Sequence, residues 1–101
     1  MKNIPVAVPN FIGNEKKYVD DCMDTTWISS VGKYVNQFEE SFANRMTVKH
    51  AIACCNGTVA LHVPLLGLGI KEGDEVILPS FTYIATANCV KYCGATPIFA
   101  D

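Results

Sequence analysis

Residues 51–100 read AIACCNGTVALHVPLLGLGIKEGDEVILPSFTYIATANCVKYCGATPIFA. Three short apolar runs, at 51–55, 75–78 and 95–100, alternate with two stretches of helical length, about 58–68 and 83–92. Asn56-Gly57-Thr58 makes a tight turn that opens the first helix, Gly69 and Gly73-Asp74 flank the next turn, and Gly94 closes the second helix. Runs that are apolar on both faces belong in a parallel sheet covered by helices, with strands joined by right-handed crossovers. The expected fold is therefore α/β, a three-layer α/β/α arrangement built on strand–helix–strand–helix–strand. Pro64 fits the first helix poorly, because an interior proline deletes the bond to the carbonyl of Ala60 and costs about 3 kcal/mol. That helix must either kink or start later than Thr58.

Upstream of this unit, an extended lead at 4–11 with Pro5 and Pro9 precedes Asn14, which can cap a helix over 15–24. Tyr18, Val19, Cys22 and Met23 share one face of it. A loop of small hydroxyl residues around Trp27, the sole tryptophan, follows. The clearest amphipathic helix comes next: Val35, Phe38, Phe42 and Met46 recur at helical spacing, with Asn36, Glu39, Glu40 and Asn44 facing outward. That apolar stripe needs a sheet or a partner subunit. No repeat, linker or low-complexity segment divides the chain, which reads as one architecture of two parts, 1–48 and 49–101.

Composition narrows the function classes. Half of the 101 residues are hydrophobic and 18% are charged, as in a globular protein. The formal charge of −2 is scattered rather than blocked, which argues against a nucleic-acid or anionic-membrane partner. The longest nearly apolar stretch, 60–70, falls short of the roughly 20 residues that span a bilayer. Lys2 imitates the charged start of a signal peptide, but Pro5, Pro9 and Asn10 break the apolar core that should follow, so a cytoplasmic location is expected. The five cysteines, Cys22, Cys54, Cys55, Cys89 and Cys93, lack the C-x-x-C spacing of a structural zinc site and are expected to be reduced, buried and apolar in role. No metal site is expected.

Ligands of open parallel sheets bind beyond the carboxyl ends of the strands. Asn56-Gly57-Thr58 lies there: Gly57 admits close backbone approach, a helix N-terminus presents free amides, and Thr58 adds a hydroxyl. Such a turn suits a phosphate; taken alone, a plain strand-to-helix turn capped by Asn or Thr is the commoner outcome. Tyr83 heads the next helix at the same edge, where its ring either stacks on a planar heteroaromatic ligand or packs under a neighbouring loop. Together a phosphate cradle and a flat aromatic wall suggest a phosphorylated ring cofactor.

Other candidates carry less. His50 and His62 have no ligand-spaced partners and suit surface or packed roles. Asp20, Asp21 and Asp24 read as the solvated end of a helix. Ser29 and Ser30 lack the strand–serine–helix elbow of a hydrolase, and Gly67-x-Gly69 falls at a helix end, not after a strand as a dinucleotide fingerprint would.

A family resemblance rests on motifs in order along nearly the whole chain: Trp27-Ile28-Ser29-Ser30, Gly32-Lys33-Tyr34-Val35, Phe38-Glu39, Asn56-Gly57-Thr58-x-Ala60-Leu61-His62, Gly73-Asp74-Glu75-Val76-Ile77, Pro79-Ser80-Phe81-Thr82-Tyr83-x-Ala85-Thr86-Ala87-Asn88 and Gly94-Ala95-Thr96-Pro97. This pattern resembles the N-terminal part of the DegT/DnrJ-type nucleotide-sugar aminotransferases, which are pyridoxal 5'-phosphate (PLP) enzymes of aspartate-aminotransferase fold type I. The resemblance implies that Gly57 and Thr58 bind the cofactor phosphate, that Tyr83 stacks on its ring, and that Trp27, Ser29 and Ser30 lie near the mouth of the substrate site. It also implies amino transfer, usually from glutamate, onto a nucleotide-linked keto-sugar, by a homodimer with shared active sites.

The Schiff-base lysine, the acidic partner of the pyridine nitrogen and a later phosphate serine of that family are expected beyond Asp101. The chain is accordingly expected to be a truncated N-terminal part of the large domain, with no catalytic residue of its own and no activity alone. Three positions depart from the family: Thr47 and Cys55, where glycine and serine are frequent, and Pro64, where a small helix former is usual. A PLP-dependent sugar dehydratase of the same family and a non-catalytic phosphate-ligand or dimerisation module are the competing readings.

Overall fold

The computed structural model describes residues 4–101; Lys2, the imitator of a signal start, lies outside them. The elements run α1 (Glu15–Asp24), α2 (Lys33–Met46), α3 (Gly57–Gly67), β1 (Glu75–Pro79), α4 (Ile84–Tyr92) and β2 (Thr96–Ala100). The chain divides into two compact units between Ala51 and Ile52.

In the second unit β1 and β2 pair in parallel, with Glu75 opposite Thr96 and Pro79 opposite Ala100. The Thr96 amide to the Asp74 carbonyl and the Ser80 amide to the Ala100 carbonyl, both 2.9 Å, extend the ladder at each end. α4 forms the crossover and packs on α3 and on both strands. The core lies at that junction, where Leu78, Ala87, Val90 and Ala95 form one buried cluster with Leu65, Ile70, Val76 and Cys93 against it.

Four sequence expectations need correction here. The run at 51–55 is not a strand: the sheet among the described residues holds only β1 and β2. An apolar run reads as a strand locally, but a strand exists only as a rung beside another, and Ile52 is 82% exposed. The cysteines are likewise not uniformly buried. Cys89 is, Cys22 and Cys93 are half-buried, and Cys54 and Cys55, on the run that is not a strand, are exposed. β2 too is more exposed than a core strand, apart from the half-buried Pro97. As for Pro64, α3 starts at Gly57, one residue earlier than expected, and carries the proline inside it.

In the first unit α1 and α2 follow their apolar spacing, yet only Ala43 is buried. Asn14 stands at the N-cap of α1 without a side-chain cap bond; the Gly13 amide donates to Glu15 Oε2 instead, at 2.9 Å. What ties the unit together is polar and aromatic. Tyr18 and Tyr34 pack at 5.0 Å between centroids, and Lys33 and Tyr34 both reach Asp21.

All four helices close in the same manner. An amide two or three residues past each helix bonds back to a carbonyl five residues earlier: Trp27 to Cys22, Val48 to Ala43, Ile70 to Leu65 and Ala95 to Val90. This is the Schellman closure, which requires a left-handed residue just before the bonded amide. Those residues are Thr26 (φ 57°), Thr47 (φ 56°), Gly69 (φ 79°) and Gly94 (φ 78°).

Candidate functional site

The turn after residue 55 builds a helix N-terminus with uncommitted donors. Asn56, extended at φ −165°, ψ 169°, is the N-cap of α3, and its Oδ1 accepts the Val59 amide at 3.0 Å. Its carbonyl accepts the Ala60 amide at 3.1 Å. The first four amides, here those of Asn56 to Val59, have no i−4 carbonyl in the helix, and the cap side chain disposes of that of Val59. The amides of Gly57 and Thr58 find no intramolecular acceptor among the described residues. A Cβ built on Gly57 would meet nothing within 4 Å, so the space at the first of these amides is open. Two uncommitted donors, the Thr58 hydroxyl and the positive end of the helix dipole make a donor set that fits a phosphate.

Thr58 is also held from behind. Its carbonyl accepts the thiol of Cys89, Sγ at 3.1 Å, from the middle of α4. Tyr83 is the N-cap of that same helix, six residues earlier, which places it about 9 Å along the α4 axis from the Thr58 contact. Its ring is 86% exposed and its backbone extended (φ −65°, ψ 142°), while its carbonyl accepts the Thr86 amide at 3.0 Å. The phosphate-type turn and an open aromatic face thus stand in one unit, at the ends of adjacent helices. Nearby, the Ser80 hydroxyl donates to Asp101 at 2.5 Å and Thr82 and Thr86 share a hydroxyl pair at 3.1 Å. His62 packs edge-on against Tyr92 at 5.6 Å, with its Nε2 buried and unbonded, a packed histidine rather than a base.

The other expected site residues belong to the first unit. Trp27 and Ser29 line a largely apolar cavity of about 450 Å³ together with Cys22, Val31 and Tyr34; Ser30 is exposed and outside that lining. The Trp27 indole N–H donates to the Val31 carbonyl. Asp21, which the sequence places on a solvated helix end, is instead half-buried and engaged. Lys33 Nζ lies 2.6 Å and the Tyr34 hydroxyl 3.0 Å from its Oδ2. Those hydrogen bonds, Lys33 first, hold the Asp21 carboxyl below its usual value, and the bond to Asp21 raises Lys33. Desolvation, then the Asp21 bond, raises Tyr34. No sequence signal announces this trio, because the path of the loop between α1 and α2 decides it. Among the described residues no cluster could hold a metal, and no helix is long and apolar enough to cross a membrane.

Comparison with known proteins bears on the same residues. Over all 101 positions the chain is 60% identical to the GDP-perosamine synthase of Caulobacter vibrioides and spans 27% of that protein. The structure of an aminotransferase from Psychrobacter cryohalolentis superposes with a TM-score of 0.84 at 40% identity, over 92% of this chain and 24% of that one. A GDP-4-keto-6-deoxymannose-3-dehydratase with a trapped PLP-glutamate geminal diamine gives 0.82 at 27% identity, over 98% and 27%. The chain therefore spans about a quarter of the length of the relatives it matches, and its fold is part of the large domain of fold-type I PLP-dependent aminotransferases. Residues 9–101 match the DegT/DnrJ/EryC1/StrS aminotransferase family, and the chain belongs to that family.

Proposed function

We propose that this chain supplies half of the cofactor site of a PLP-dependent aminotransferase acting on a nucleotide-linked keto-sugar, with glutamate as amino donor. By the name of its 60% identical relative, the nucleotide is GDP. The observation that carries the proposal is the pair of uncommitted amides at Gly57 and Thr58, in one unit with the open ring of Tyr83. In this reading Gly57 and Thr58 bind the cofactor phosphate and Tyr83 covers one face of its ring. When bound, PLP supplies the electron sink for amino transfer. The chain's part is to anchor and orient it.

Residues 1–48 carry the substrate side through Trp27, Ser29 and Ser30, and 49–101 the cofactor side. In this reading none of the described lysines is the Schiff-base residue, since none falls in the turn after β1, residues 80–83. The enzyme works in the cytoplasm as a homodimer with shared sites.

The test uses the polypeptide encoded by the complete reading frame that contains these residues, supplied with PLP, glutamate and a GDP-linked keto-sugar. Mass spectrometry should show an amino-sugar nucleotide, with 2-oxoglutarate formed in equal amount, and Thr58→Ala should weaken PLP binding about tenfold. Residues 1–101 alone should give no borohydride-trappable adduct at a specific lysine. Loss of a sugar hydroxyl without retained nitrogen would replace this reading by a dehydratase, the class of the relative that superposes at 0.82. Saturable phosphate-ligand binding without turnover would leave a binding module.

A further inference from the structure

We infer that Gly32 is a positioning residue: its missing side chain seats the Trp27 indole and so sets the width of the cavity beside it. The importance of that cavity rests on the reading of the Trp27–Ser30 loop as the substrate side.

Trp27 is held at both ends. Its amide closes α1 by bonding the Cys22 carbonyl at 3.0 Å, and its indole N–H bonds the Val31 carbonyl. Thr26, in the left-handed region at φ 57°, aims the backbone for the first of these bonds. The ring then lies where a side chain at position 32 would begin, because a Cβ on Gly32 would overlap the indole Nε1 and Cδ1.

The backbone of Gly32 is extended, at φ 160° and ψ 173°, which any residue adopts. Glycine is therefore required here by the ring above it and not by the dihedral. This separates Gly32 from Gly69, Gly73 and Gly94, whose positive φ values explain them. Both Trp27 and Gly32 line the 450 Å³ cavity, so a residue that evicts the indole reshapes the cavity wall.

The experiment uses the active enzyme of the complete reading frame, labelled with 5-fluorotryptophan, with the Trp27 signal assigned by its loss in Trp27→Leu. Gly32→Ala should move the Trp27 fluorine resonance and raise KM for the nucleotide sugar about tenfold, more than it lowers kcat, with PLP affinity unchanged. Adding Gly32→Ala to Trp27→Leu should cost nothing further, because the ring that clashes is gone. That double variant also covers the case in which Gly32→Ala alone fails to fold: recovery of folding supports the seat, and continued failure overturns it. An unmoved Trp27 resonance, or full additivity of the two substitutions, likewise overturns the inference. A moved resonance with unchanged KM upholds the seat and overturns the substrate-side reading of the loop.

Discussion

The two units solve the same local problem with different residues. Each has two helices ending in a Schellman closure, but α3 and α4 place glycine at the left-handed position while α1 and α2 place threonine there. A β-branched residue in that region carries on the order of 1 kcal/mol of strain that glycine does not. The units differ in burial in the same sense. Around α4, Leu78, Ala87, Cys89, Val90 and Ala95 are buried, whereas α1 buries nothing and α2 only Ala43. The unit with the phosphate-type turn carries its own apolar core; the unit with Trp27 is tied by the Asp21 trio and the Tyr18–Tyr34 pair.

The largest test of this contrast is truncation in each unit. Leu78→Ala, at a side chain 4% exposed, should cost about 2–4 kcal/mol in urea denaturation. Phe38→Ala, 56% exposed, should cost about 1 kcal/mol or less. Equal costs would show that the α1–α2 unit holds a core as firm as the other.

A smaller, two-way test exchanges the closing residues. Gly94→Ala puts a Cβ at φ 78° and 3.4 Å from the Glu72 amide nitrogen, and should destabilise by about 1–2 kcal/mol. Thr47→Gly should stabilise by up to about 1 kcal/mol, less what glycine adds to the freedom of the unfolded chain. Opposite signs in thermal melts sharpen the comparison, and matching signs break it.

The smallest effect is electrostatic. Asp21 is lowered in the folded chain, so its contribution is present above the unfolded value of about 3.9 and is lost as pH falls through the folded one. Lys33 is raised, so its contribution is present below about 10.4 and is lost as pH rises past the folded value. The tie therefore holds from about pH 4 to pH 10. Asp21→Asn should lower the melting temperature slightly within that window, and the difference should vanish in acid. A difference that is the same in acid as at neutral pH would mean that the pair contributes nothing through its charge.

Most of the element order is legible from periodicity, as in α1, whose expected span 15–24 agrees with the structure. Gly94 is legible as a helix stop, and Thr47 as a departure from the glycine frequent in the family; the left-handed φ at 47 gives that departure its physical meaning. What sequence misses is non-local. Whether 51–55 becomes a strand depends on a neighbour, and whether Asp21 is solvated depends on where Lys33 and Tyr34 return twelve and thirteen residues later. The role of Gly32 is invisible to dihedral reasoning for the same reason, because its cause is a side chain five positions away.

Pro64 has a consequence in time. An eleven-residue helix bounded by Gly57 and Gly67, with Thr58, Val59 and Val63 in its body and a proline across its middle, is too short and too poor in helix formers to persist alone in water. Its helical state depends on docking against α4, the contact that Cys89 and Thr58 record. The uncommitted amides of Gly57 and Thr58 are thus expected to be fixed in place in the same folding step that docks α3 on α4.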